Sequence, residues 1–417
     1  KKSEERAKAV RLKQMRAEAP QAGHTAQEWH AYFEKKFGKY LKRAQSDIEA
    51  FYDAVTEELY PYAASWDPTL QKIYKIHVLL FIAKQTELAF QNPAHSFRSI
   101  FYDMGYVRTA DQCSDEISRL LNGVDPDKAS LSFPVPLEGM IEFLAAHAFP
   151  KDQTPVDWLY LYRYLWGNLL RRTEWADREK ERLNRELRQQ DLHPKTRDFI
   201  ISALAHFDFI EGNDEKAIRQ LDGLLYAKEP RNFFPYLRTY LETKRWDRML
   251  LWMRWMVPLM KECSYIEFDV YCRYWLEAVD QRPLDEGWIG VMTELLPKSY
   301  DFYSEYLLAK NECRLWADLH LYLNISPLDL DPADLRKVEK AGLQLLLPLY
   351  HQAVERYILR KNREAYRLAV RALQKLRQLY KRLKQPHRWE RYMEQITGQY
   401  SRLRAFQEEL TKGELIS

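Results

Sequence analysis

Glycine and proline are scarce in this chain, 13 and 19 among 417 residues. Tight turns draw on both, so an all-β protein is excluded. Cysteine is scarcer still. Cys113, Cys263, Cys272 and Cys313 form no CxxC or CxH pair, so the paired spacing of a zinc site is missing and no metal is expected. With no secretion signal, the four are expected to be reduced and buried rather than bridged, and the Asn324-Ile325-Ser326 sequon to go unused. Long apolar runs are missing as well. HVLLFIA from His77 and LQLLLPL from Leu343 are the best candidates, and both fall far short of the roughly 20 residues a membrane-crossing helix needs. A soluble, cytoplasmic protein is the expectation. Nor is there an excess of one charge: a net charge of +4 is nearly balanced, so no global electrostatic partner follows from the total.

The signatures of several chemistries are also absent. The chain has no Walker loop, dinucleotide glycine pattern, nucleophile elbow or HExxH. Its ten histidines are scattered. His351 and Glu355 stand one helical turn apart, but two ligands do not complete a metal site. His24 and His30 have no acidic or Cys company, and His147 and His206 lie on apolar helical faces, where a hydrogen-bonded core histidine is the default. Asp214-Glu215 reads as solvated charge at a turn. Trp246, Trp252 and Trp255 at helical spacing read as interhelical packing. No catalytic residue, cofactor or small-molecule substrate is expected, and an enzyme would need a deep pocket of convergent titratable groups drawn from distant parts of the chain.

What the chain does contain favours helices: Leu, Ala, Arg, Glu and Gln abound, and 27 Tyr and 12 Trp supply large rings for packing between them. Residues 1–22, opening KKSEERAKAVRLKQMR, read as a basic helix or linker. The start at Lys1 reads as a cut inside a longer protein. Residues 23–150 read as an irregular helical part, opened by a capping box of Thr25 and Glu28. It continues with helices over 41–59 and 70–90, a break at Asn92-Pro93 and an extended crossover at SLSFPVPLEG. Residues 151–417 read as a helical-repeat array of the tetratricopeptide type. Within it, Ala205, Gly212 and Ala217 recur at the same offsets as Leu237, Lys244 and Met249, a period of 244 − 212 = 32 residues. A looser turn follows at Asp280 to Pro283, and a fourth at Glu312 and Ala317. Asp331-Pro332 with Asp334 starts a helix, and long helices are expected over 335–360, 362–383 and 388–410.

Between Arg356 and Arg391 stand thirteen Lys or Arg and only two acids, Glu364 and Glu390. At about 100° per residue Arg360, Arg363, Arg367 and Arg371 share a narrow sector opposite Ala365, Ala369, Ala372, Leu373, Leu376 and Leu383. One reading is a solvated face paired with acids on neighbouring helices. The other is a surface for phosphates or an acidic partner, with Arg356, Arg360, Arg363, Arg367, Arg371, Lys375 and Arg382 as the binding residues.

The basic start KKSEERAKAVRLKQMR, the run TAQEWHAYFEKKFGKYL and the ending QYSRLRAFQEELTKGEL resemble the long helical region that follows the zinc finger in bacterial SWIM zinc-finger proteins. In that family a CxC and CxH motif binds zinc, and the proteins are associated with helicases of the Swi/Snf type. The motif is missing here, so the resemblance implies the metal-free helical portion and carries no zinc ligand over. The expected function is a non-catalytic scaffold that presents a concave helical surface to a protein partner, a Swi/Snf-type helicase among the candidates. The alternative is a direct nucleic-acid-binding module that uses the basic helix 356–391.

Overall fold

The computed structural model describes residues 19–40, 47–91, 100–149, 154–226, 228–281 and 286–416. The basic segment from Lys1 to Arg16, the Asn92-Pro93 break and the second half of the turn expected at Asp280 to Pro283 lie outside them. The described residues form twenty-one α-helices and contain no strand. They group into two compact units, Lys1–Leu259 and Met260–Ser417.

In the first unit, α1 (Ala26–Phe37) begins with the expected capping box: the Thr25 side chain accepts from the Glu28 amide, and the Glu28 carboxylate accepts from the Thr25 amide at 2.7 Å. α2 (Ile48–Leu59) leads through a short 3₁₀ turn at Tyr60–Ala63 to α3 (Pro68–Phe90). Every residue of α3 from Ile76 to Ala83 is buried. Such a helix has no solvent face and must be enclosed by others; α1, α2, α4 (Ile100–Leu121) and α6 (Pro134–His147) pack on it. The HVLLFIA run is thus the centre of a helical core.

α5 (Pro126–Ser132) precedes α6, so the SLSFPVPLEG segment is helical rather than an extended crossover. Pro134 and Pro136 both fall in the first turn of α6, where a missing N–H costs nothing. Gly139 of α6 lets that helix lie directly on α1, since a Cβ there would collide with the Ala26 Cβ.

α7 (Trp158–Asn168), α8 (Thr173–Leu187) and α9 (Pro194–Glu211) continue the same apolar core, which runs from Ala26 to Phe207. The core carries no break at the boundary expected near residue 150, because Ala148 on one side and Val156, Trp158 and Leu161 on the other are buried in it together. α9 turns at Gly212 into α10 (Asp214–Leu221); α11 (Phe234–Glu242) turns at Lys244 into α12 (Trp246–Glu262). Ala205, Ala217, Leu237 and Met249 are all fully buried, so the repeated offsets mark the packed side of two successive hairpins.

The two turns have one construction. Gly212 and Lys244 adopt left-handed backbone, with φ of 88° and 55°. The next amide reaches back to close the helix end, Asn213 to the Asp208 carbonyl at 2.8 Å and Arg245 to that of Tyr240 at 2.9 Å.

The second unit repeats that turn. α13 (Tyr265–Gln281) and α14 (Glu286–Glu294) precede α15 (Tyr300–Ala309), which passes through Asn311 at φ 59° into α16 (Cys313–Tyr322), with the Glu312 amide on the Leu307 carbonyl at 2.8 Å. The left-handed residue is Asn311, so the register expected from Glu312 moves by one. Trp316, fully buried, takes the place that Ala217 holds in the first hairpin. The interval 311 − 244 = 67 is close to twice the first.

α17 (Pro332–Ala341) starts as expected, Asp331 accepting from the Ala333 amide at 2.7 Å ahead of Pro332. The single helix expected over 335–360 is instead two, because Gly342 adopts extended backbone and Pro348 lies in the first turn of α18 (Leu347–Leu359). α19 (Arg363–Arg382) packs along α18. The final helix expected over 388–410 is also two, α20 (Pro386–Gln399) and α21 (Arg404–Lys412). α20 and α21 both pack on α19, and α21 lays Glu408 and Glu409 against its Arg363. No described helix is long and apolar enough to cross a membrane.

Candidate interaction surface on the carboxyl-terminal helices

α19 divides cleanly. Ala365, Tyr366, Ala369, Val370, Ala372, Leu373, Leu376, Leu379 and Tyr380 are buried, and the remaining positions are almost all charged or amide side chains. The helix starts on Asn362, whose side chain accepts from the Ala365 amide at 2.8 Å. Lys361, at φ 52°, turns the chain just before it.

That turn corrects the narrow sector read from the sequence. Arg360 closes α18 rather than extending α19, and its guanidinium sits 5.3 Å from the centre of the Tyr357 ring. Arg356 lies half-buried in the last turn of α18.

The other candidates divide by what they touch. Arg363 is paired with Glu408 and, at 3.1 Å, with Glu409 of α21, and Arg367 reaches the other Glu409 oxygen at 3.6 Å. Lys412 also binds Glu409, at 3.1 Å. These cations hold the Glu409 carboxyl below its ordinary range, the Lys412 hydrogen bond most of all. Only 7% of that side chain is accessible, yet the three cations folded over it are each more than half exposed. Arg382 pairs with Glu339 of α17 at 2.7 Å. Arg371 and Lys375 are exposed and make no ion pair among the described residues. The structure therefore brings three of the seven expected residues against acids, lays one on a ring, and leaves two of the exposed ones unpaired.

A second cluster forms around Asp214, which the sequence places as solvated charge and the structure buries. Asp214, at the start of α10, is buried at 6% exposure. Its carboxylate accepts from the Tyr240 hydroxyl, from Arg248 Nε and Nη2, and from Trp252 Nε1 at 2.9 Å. Burial and the neighbouring carboxylate push the Tyr240 phenol well up. Arg248 stands 34 residues after Asp214, in the first turn of α12, two positions beyond the equivalent of Asp214 in the 32-residue repeat. Glu215 alone matches the expectation, exposed and facing Arg219. Trp252 packs between helices as expected, its ring 4.7 Å from Tyr236 and 5.9 Å from Phe209.

His77, His206 and His320 are buried, whereas His193 and His387 are exposed. His77 Nε2 donates to the Pro136 carbonyl at 3.0 Å, which leaves its Nδ1 to accept from His30 Nε2 at 3.1 Å. His351 bonds the Tyr380 hydroxyl at 2.9 Å and meets the Tyr392 ring edge-on. His206 lies against Phe209 and Tyr236, buried as expected, with the Arg163 backbone beside it. Burial depresses these imidazoles, to about 4 for His77 and His351 and about 3 for His206. Three of the four thiols, Cys113, Cys272 and Cys313, are buried, and all four are free.

Taken with the fold, these features define an all-α protein. No protein-family model matches the chain. It is similar to the uncharacterized protein YwqB of Bacillus subtilis (strain 168), 27% identical over 409 residues that cover 93% of this chain and 73% of that protein. No solved structure matches it.

Proposed function

We propose that the chain is a non-catalytic scaffold of the tetratricopeptide type that binds another protein. The observation that carries this reading is the recurrence of one hairpin, two packed helices joined by a left-handed residue whose successor closes the helix end, at Gly212, Lys244 and Asn311. Stacked hairpins of this kind present extended concave faces by construction. An exposed apolar pair fits the same role. Leu225 and Tyr226, 66% and 62% exposed, project from the loop after α10, and both of their amides are held by the buried Asp198 carboxylate, at 2.9 and 2.5 Å. A preorganised apolar projection loses little entropy on binding.

The resemblance to the helical region of SWIM zinc-finger proteins makes a Swi/Snf-type helicase the partner to test. Binding of the purified chain to such a helicase from the same genome, followed by calorimetry, is expected to weaken at least about tenfold in Leu225→Ala/Tyr226→Ala, the usual scale of an interface anchor. No binding at high micromolar concentration would remove the helicase. A reading frame upstream of Lys1 without CxC and CxH would remove the family.

A further inference from the structure

The exposed side of α19 has a composition that the scaffold reading does not use. Arg363, Arg367, Arg371, Lys375 and Lys381 fall within about 120° of its circumference, and no acid follows Glu364 in the helix. Arg371, Lys375 and Lys381 are exposed and unpaired among the described residues. Arg367, Arg371 and Lys375 follow one another at four-residue steps, a cation roughly every 6 Å of helix axis. Each strand of a duplex advances roughly 3.4 Å of axis per phosphate, so the roughly 12 Å of helix axis spanned by these three cations lies alongside several phosphates.

Two further features narrow the partner. The exposed positions between 363 and 382 include no aromatic ring, since Tyr366 and Tyr380 both face the core. Single-stranded nucleic acid is gripped by rings on which bases stack, and protein interfaces by apolar anchors; this face supplies neither. It offers point charges on a straight rod, which suits a duplex backbone.

We propose that the exposed cations of α19 bind the phosphate backbone of double-stranded nucleic acid, and that Glu408 and Glu409 of α21 occupy the amino-terminal third of that surface in the nucleic acid's place. Arg371, Lys375 and Lys381 are the contacts available in the folded chain, and Arg363 and Arg367 are held back by the two carboxylates. The surface does not depend on the scaffold reading: a chain that binds duplex and no protein would overturn that reading and leave this one standing.

The test uses the full chain and a labelled DNA duplex of about 25 base pairs, followed by fluorescence anisotropy from about 50 to 300 mM salt. Three phosphate contacts give a slope of log affinity against log salt of about −3. Arg371→Gln/Lys375→Gln/Lys381→Gln is expected to weaken binding at least about tenfold at low salt and to flatten the slope. Glu408→Gln/Glu409→Gln, which removes only the competitors, is expected to steepen it to about −4.5 and to tighten binding roughly tenfold near 0.1 M salt. That second variant keeps the test decisive if the triple variant folds poorly, which its thermal midpoint would reveal. Failure to bind duplex at 50 mM salt, an unchanged triple variant, or an unchanged glutamine pair would each overturn the proposal. So would a single strand or polyglutamate bound as tightly as duplex. A duplex RNA bound like duplex DNA would support it, because only the backbone is read.

Discussion

Two arginine–carboxylate clusters in this chain bury their acceptors equally and differ in how far their donors are buried. Around Asp214 the acceptor is enclosed by Tyr240 and Trp252, both buried, and by Arg248, whose side chain is three-quarters withdrawn from water. Around Glu409 the acceptor is covered only by Arg363, Arg367 and Lys412, long side chains that remain more than half in solvent. Taking away the first acceptor strands its donors in the interior. Taking away the second returns three cations to water, where they are well solvated and free to hold another anion. Enclosure, more than the number of partners, decides whether such a cluster is structural or exchangeable.

Four measurements break or sharpen that contrast. The largest effect is expected from Asp214→Ala, which leaves Arg248, Tyr240 and Trp252 without their acceptor. Loss of one partner of a buried pair costs about 3–5 kcal/mol, and chemical denaturation followed by tryptophan fluorescence reads it directly. A loss below about 1 kcal/mol would show that water enters the cluster.

Acid should come next. The unfolded imidazole takes up a proton near pH 6.5 while folded His77 resists until about pH 4, so the unfolded state binds more protons between those values. The stabilisation is complete above pH 6.5 and is lost as the pH falls toward 4, by roughly 3 kcal/mol for this residue. The first unit, with His30, His77, His147 and His206 depressed against His320 and His351 in the second, should lose more stability and open first. Hydrogen exchange at pH 7 and pH 4.5 distinguishes the two units.

The third effect is small by design. Glu408→Gln/Glu409→Gln is expected to leave the thermal midpoint within about 2 °C of the parent, because the cations it releases are each more than half exposed; a larger drop would place Glu409 with Asp214. The smallest belongs to the turns. Lys244 adopts a left-handed backbone that glycine takes without cost, so Lys244→Gly should stabilise the chain by about 0.5–1 kcal/mol, read from the midpoint of denaturation.

What could be read from the sequence was local. The capping box at Thr25, the start at Asp331-Pro332, the turn at Gly212 and the apolar side of α19 each depend on residues a few positions apart, and the structure contains them. What could not be read depends on distant partners. Asp214 resembles any acid at a helix start until Tyr240, Arg248 and Trp252 are folded around it. Arg363 and Arg367 resemble free cations until a second helix after Gln399 returns Glu408 and Glu409 to them. The breaks at Gly342 and between Gln399 and Arg404 escaped helical periodicity because apolar spacing continues across both. The border between the two compact units falls after Leu259, inside the helix α12, and the prolines of SLSFPVPLEG, expected in an extended crossover, open a helix.

The enclosure of α3 has a practical corollary for anyone wishing to shorten this protein. All eight consecutive residues from Ile76 to Ala83 are withdrawn from solvent, and apart from His77 they are hydrocarbon or aromatic. A fragment that keeps α3 while omitting α1, α2, α4 or α6 would display that girdle to water and precipitate, so domain trimming must treat these five segments as indivisible.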